Sequence, residues 1–94
     1  MGVEYKLVAK LPSAEVAKNL LLNAPNFVKF DEKYQMAEYR IVDNNGDMPD
    51  AVAKVEDYGF YLRDSGNRNL VYSIIGYLSL NSSSFGAVEF SELE

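Results

Sequence analysis

The alternation of apolar and polar residues predicts a strand followed by a short helix at the start of the chain. From Val3 to Leu11, apolar side chains stand at every second position with mostly charged ones between them, as in a strand with one buried and one wet face. A helix start follows, with Ser13 as the N-cap and Glu15 in the first turn. Apolar residues then recur at helical spacing before Pro25 ends the pattern. A helix this short must bury its apolar stripe against the sheet.

The longest β-type run in the chain lies between Leu70 and Leu80. Counted by twos, one face of this run is almost entirely apolar, while the other mixes apolar and hydroxyl side chains. The run therefore predicts a central strand with one dry face and one face available for contact. On that second face we place the partner-binding candidates Tyr61, Val71, Ile75 and Tyr77.

The remaining segments predict further strands joined by polar turns. Strand-forming residues are concentrated in Tyr34–Val42, in Ala51–Asp57 and in Tyr58–Arg63, the last as a continuation or as a fourth strand. Phe85–Phe90 is typical of a final edge strand. Residues 26–33 are irregular, and we expect their two phenylalanines to close the edge of the core beneath the helix.

These elements predict an α+β fold with a single, mainly antiparallel sheet of four to six strands. One short helix packs on one face, in the order β-α-β-β-β-β. A chain of 94 residues is too short for two separate cores, so we expect residues 1–94 to form a single domain. The helix side of the sheet should take Leu7, Leu11, Leu20, Leu21, Ile74, Leu78 and Val88.

The acidic loop over residues 43–50 matches part of a calcium-binding loop. Asp43, Asn45 and Asp47 have the spacing of oxygen ligands in a calcium-binding loop. However, Met48 stands where the loop requires glycine, and Lys54 stands where it requires glutamate. The Asn-Gly pair within the loop is instead a strong signal for a tight turn. We expect no metal and no cofactor.

Composition narrows the possible functions. The chain has no cysteine and no histidine, which excludes thiol chemistry and removes the side chain most used for proton transfer near neutral pH. The net charge is -5, and lysines and arginines never stand next to each other, so nucleic acid is a poor partner. No apolar run has the length of a signal peptide or of a membrane span, and we expect a cytoplasmic protein without membrane contact.

We therefore expect a small acidic, non-catalytic interaction or regulatory module. Its seven tyrosines and five phenylalanines suit a protein interface, and we expect a protein partner or a sister chain, with a homodimer as one form. One alternative is single-stranded nucleic-acid binding through the same aromatic residues. A less favoured one is an enzyme that uses carboxylates. The adjacent pairs Asp31-Glu32 and Glu56-Asp57 do not support it, because neighbours in a strand point to opposite faces and carboxylates in loops are usually solvated.

Overall fold

A computed structural model of the chain describes residues 2–42, 44, 46 and 48–93. The described strands and α-helices are β1 (Val3–Val8), α1 (Ala14–Asn23), β2 (Phe27–Asp31), β3 (Met36–Tyr39), β4 (Ala51–Glu56), β5 (Gly59–Asp64), α2 (Arg68–Ser82) and β6 (Glu89–Leu93). A short 3-10 turn, Ser83–Phe85, connects α2 to β6. The strands form one sheet in the order β2-β3-β4-β5-β1-β6, and every neighbouring pair is antiparallel. The predicted α+β fold with a single antiparallel sheet is confirmed.

Both helices lie on the same side of the sheet, which we call the inner face. On α1, the carbonyl oxygen of Leu21 accepts a hydrogen bond of 2.6 Å from the Tyr39 hydroxyl of β3. On α2, the Tyr72 ring packs edge-on against the Tyr5 ring of β1, with centroids 6.1 Å apart. The strand register puts Tyr5 and Tyr39 on the same face. The opposite side, here called the outer face, is covered by neither helix.

The inner face and the two helices form the hydrophobic core. The residues predicted for the helix side of the sheet all belong to this core or pack against it: Leu7, Leu11, Leu20, Leu21, Ile74, Leu78 and Val88. The predicted start of α1 is also confirmed, because the Ser13 side chain caps the helix and accepts a hydrogen bond of 3.2 Å from the Val16 amide.

The prediction of a central strand over Leu70–Leu80 is wrong, because this segment lies within helix α2. Its buried positions fall three or four residues apart, which is the helical period; they are Leu70, Val71, Ile74, Ile75, Leu78 and Ser82. The helix begins at an N-cap, Asn67, whose side chain accepts a hydrogen bond of 3.0 Å from the Leu70 amide. The element order therefore gains a second helix before the last strand. Strands β4 and β5 occupy the two central positions of the sheet instead.

Residues 27–31 form the edge strand β2, where the sequence predicted only an irregular connection. The register shifts between Phe27 and Lys29, so the strand contains one extra residue, Val28. This bulge allows Phe27 and Phe30, three residues apart, to face the same side of the sheet. Both phenylalanines pack against the edge of the core as predicted. The bulge also explains why the segment shows no period of two.

The other predicted elements hold with shifted boundaries. Strand β3 is shorter than the predicted run, and the last strand begins at Glu89, since Ser83–Phe85 forms a 3-10 turn. Strand β6 lies at the edge of the sheet, as predicted. Of the turn and loop analysed between residues 43 and 50, Asp43, Asn45 and Asp47 lie outside the described residues.

The buried tyrosine at the end of β3, Tyr39, should make the free energy of unfolding decrease as the pH rises into the alkaline range. Burial, and to a smaller extent the proximity of Tyr77, raises the pKa of Tyr39 above its ordinary value. Above about pH 10 the unfolded chain releases the phenol proton while the folded chain retains it, so stability falls as the pH rises. The expected slope for such a tyrosine reaches about 1.4 kcal/mol per pH unit.

Urea unfolding between about pH 8 and about pH 11 measures this slope. Tyr39→Phe should flatten it and should also lower the stability at neutral pH by about 1 kcal/mol, because the hydrogen bond to Leu21 is lost. The residual slope comes from other tyrosines whose pKa is raised chiefly by burial, namely Tyr5, Tyr58 and Tyr61. The matched control is Tyr34→Phe at an exposed tyrosine, and a slope unaffected by Tyr39→Phe would contradict the prediction.

Candidate functional site

The structure does not bring the four predicted contact residues together on one surface. Tyr61 lies on the outer face of β5 and is partly buried. Val71 and Ile75 lie on α2, where both are buried in the core, and the partly buried Tyr77 packs against the same core. Val71 and Ile75 are therefore unavailable to a partner, because they belong to a helix that buries them rather than to a strand with an open face. Tyr61 alone keeps its predicted place on an uncovered sheet face.

The outer face is a regular array of side chains because all six strands pair without crossing. One row across the strands consists of Asp31, Met36, Lys54, Tyr61, Lys6 and Ser91. The next row consists of Lys29, Glu38, Val52, Arg63, Glu4 and Leu93. Apolar side chains lie among basic and acidic ones in both rows. We call this array the outer-face patch.

Tyr61 lies near the middle of the outer-face patch, between Lys6 and Lys54 in the register. Burial, followed by the negative charge of the nearby Glu4 carboxylate, raises the pKa of Tyr61. Lys6 itself extends toward the turn between β4 and β5, where its Nζ lies 4.6 Å from the centre of the Tyr58 ring. Tyr61 is thus an aromatic side chain with charged neighbours in the register.

Val52 is the second apolar element at the centre of the patch. It lies directly between Glu38 and Arg63 in the register, yet only 4% of its surface is exposed. Met36 of β3 lies on the same face, one row away. Apolar side chains at the centre and charged side chains around them are the arrangement found in non-obligate protein interfaces.

The charges of the patch favour a protein partner over nucleic acid. Lys6, Lys54 and Arg63 stand near Tyr61, which is the combination that base stacking requires. However, Glu4 and Glu38 stand in the same array, and a surface that follows a phosphate backbone requires basic residues without such acidic neighbours. A mixed charge pattern suits another protein surface with its own alternating charges.

A second feature is a depression of about 660 Å³ beside the start of α1. Its floor is apolar and includes Leu11 and Val55, while Glu15, Glu56 and Asp57 supply carboxylates to its lining. Glu56 is engaged by the Lys54 ammonium at 3.9 Å. In the part of the chain that the structure describes, no three acidic side chains come close enough to hold a metal ion. The carboxylates thus line one opening without converging on a common point.

Comparison of the chain with protein-family models, with curated proteins and with solved structures found no match. Among the described residues, no helix has both the length and the apolar character needed to cross a bilayer. A functional assignment therefore depends on the surfaces described above.

Sequence reasoning missed Val52 and Met36 as members of the candidate surface. The segment Ala51–Glu56 contains apolar residues at consecutive positions, so its pattern does not show which of them face outward. The available signal was in β1, where the charged Glu4 and Lys6 mark the wet face. The pairing of β1 with β5 and of β5 with β4 places Val52 on the same face as Glu4. This register between strands cannot be read from the sequence.

Proposed function

We propose that this chain is a small acidic, non-catalytic interaction module that self-associates through its outer-face patch. The observation that carries the proposal is the pair of partly exposed apolar side chains Tyr61 of β5 and Met36 of β3, with the buried Val52 of β4 between them, on a sheet face that no helix covers. These side chains and their charged surroundings have the composition of a protein interface.

A second copy of the chain is the occupant that the charge pattern favours. Lys6, Lys54 and Arg63 supply positive charge within the patch, while Glu4 and Glu38 supply negative charge. A face with interleaved charges of both signs is able to match an identical face after rotation, as a two-fold interface requires. The overall charge of -5 is not concentrated in this array, so repulsion between two patches is limited.

The dimensions of the molecule are sufficient for such an interface. The Cα framework measures 37 × 26 × 20 Å, and the outer face is formed by all six strands of the sheet. A standard protein interface buries about 800 Å² on each partner, which is of the same order as the product of the two larger dimensions. The proposal includes a cytoplasmic location.

Sedimentation equilibrium and light scattering over a range of concentrations test this proposal. The variant Tyr61→Lys places a third ammonium between Lys6 and Lys54, so we expect it to weaken self-association by about 30-fold or more. Tyr34→Lys is the matched control, because it makes the same change at an exposed tyrosine in the turn between β2 and β3. Circular dichroism establishes that both variants fold.

A wild-type chain that remains monomeric up to about 100 μM contradicts self-association. Equal dimerisation by the Tyr61→Lys and Tyr34→Lys variants would place the contact elsewhere on the molecule. A third outcome is a chain that stays monomeric but binds a different protein, with Tyr61→Lys abolishing that binding. The occupant of the outer-face patch would then be that protein and not a second copy of the chain.

A further inference from the structure

The two edges of the sheet differ in how they are protected against an additional strand. At one edge, β2 contains the bulge between Phe27 and Lys29, which interrupts its regular pairing. At the other edge, β6 pairs with β1 over five successive residues without a register shift. Bulges are one of the devices by which native proteins block the addition of a further strand. Strand β6 lacks this device.

The direction of the free backbone groups on β6 follows from the pairing of β1. The amide of Ala9 donates a hydrogen bond of 2.9 Å to the Tyr58 carbonyl on the β5 side of β1. The backbone amide and carbonyl groups of successive residues in a strand point in opposite directions. Residues 4, 6 and 8 of β1 therefore form their hydrogen bonds with β6, since Ala9 forms its bond with the β5 side. Their register partners on β6 are residues 93, 91 and 89. The amide and carbonyl groups of Phe90 and Glu92 therefore point away from β1, toward the open edge.

The side chains along this edge have a defined chemistry. Phe90 stacks on the Tyr5 ring with centroids 5.8 Å apart, and 45% of its surface remains exposed. Glu89 and Glu92 are exposed, and neither forms an ion pair among the residues that the structure describes. Arg68, at the start of α2, lies close enough to Glu92 for this carboxylate to contribute to raising the pKa of Arg68, after the larger effects of Tyr5 and Tyr72. Over residues 89–92 the edge thus presents one apolar, one hydroxyl and two acidic side chains.

We propose that the free edge of β6 binds an extended basic peptide segment as a seventh strand. In an antiparallel arrangement the peptide has a basic residue opposite Glu92, any residue opposite Ser91, an apolar residue opposite Phe90 and a basic residue opposite Glu89. A second copy of β6 is a poor occupant, because its residues 89–93 contain no lysine or arginine to match these carboxylates. This site adjoins the outer-face patch at Ser91 and Leu93, but it uses the free backbone groups of β6 and the carboxylates of Glu89 and Glu92, and it does not depend on self-association through the patch.

A synthetic peptide with blocked ends and the central sequence Lys-Thr-Val-Lys, flanked by threonines, is the probe for this site. Titration followed by amide chemical shifts should show binding centred on β6, and binding should weaken with added salt. Glu92→Lys should reduce the affinity about tenfold or more, because attraction is replaced by repulsion. Glu32→Lys is the matched control at the opposite end of the sheet, where an equal change of net charge should leave the affinity within about twofold.

Backbone methylation of the peptide separates strand addition from charge attraction alone. In the proposed register, the amides opposite Glu92 and Phe90 donate to β6, whereas the amide opposite Ser91 points away from it. Methylation of the first two amides should abolish binding, and methylation of the third should preserve it. The proposal would be overturned if the peptide did not bind at all. It would also be overturned if the differently methylated peptides bound equally well, or if the Glu92→Lys and Glu32→Lys variants bound the peptide with equal affinity.

A substitution in the protein provides a second test that leaves the fold intact. Glu92→Pro removes an amide that points to the open edge while leaving the bonds between β6 and β1 in place. Peptide binding should be lost although the thermal midpoint is retained. Tyr61→Lys should retain peptide binding, so the outcomes at the edge and at the outer-face patch are independent.

Discussion

Leu78→Ala should lower the free energy of unfolding by about 2 to 5 kcal/mol, whereas Leu80→Ala should change it by less than about 0.5 kcal/mol. Leu78 is fully buried in α2 against the core, while 76% of the surface of Leu80 is exposed. The same substitution thus leaves a cavity at the first position and removes only solvated atoms at the second. Urea unfolding followed by circular dichroism measures both values.

These two leucines also discriminate between the helix and the strand. Positions two apart share a face in a strand but lie about 200° apart around a helix, so a strand would give both substitutions a similar cost. Similar losses of stability for Leu78→Ala and Leu80→Ala would therefore contradict α2. The two variants have identical chemistry, which removes differences of side-chain size and helix propensity from the comparison.

Gly59→Ala should cost about 3 kcal/mol or more, which is the second large effect we expect. Gly59 begins β5 with a φ of 142°, a backbone conformation that side chains rarely adopt. A Cβ atom at this position would lie 2.3 Å from the Leu7 carbonyl oxygen of the neighbouring strand β1. The clash is with backbone and so requires the central strand pair to move apart.

Gly76→Ala is the matched substitution, and we expect it to raise the free energy of unfolding where Gly59→Ala lowers it. Gly76 lies on the exposed side of α2, and a Cβ atom there meets nothing within 4 Å. Alanine should therefore raise the stability by about 0.5 to 1 kcal/mol through its higher helix propensity. Thermal and urea unfolding of the two variants check this contrast. A Gly59→Ala variant as stable as the wild type would contradict the close approach of β5 to β1.

The elements that the sequence predicted well are those with strong local signals. In β1, the alternation of charged and apolar residues identifies both the strand and its wet face. In α1, the Ser13 cap and the following proline confine the helix to nearly the observed span. The fold class follows from these elements and from the strand-rich segments between them, and it is confirmed.

The candidate surface was predicted less well because it depends on register between distant strands. Tyr61 was correctly placed on a strand, but Val71 and Ile75 were assigned to its face through the erroneous central strand. The residues that accompany Tyr61 on the outer face come from β1, β3 and β4. Pairing between strands far apart in the chain leaves little trace in either strand alone.

The sequence by itself determined the local elements with polar markers, namely β1, α1 and the turn-bounded strands β4 and β5. Only the tertiary structure decided whether Leu70–Leu80 forms a helix or a strand. Residues 69–88 contain no charged side chain that would show which positions face water. A run without charged residues, in which small hydroxyl side chains are the main polar groups, is compatible with both periods, two and 3.6. Packing against the inner face of the sheet selects the helix, which buries Leu70, Ile74 and Leu78 while leaving Leu80 in solvent.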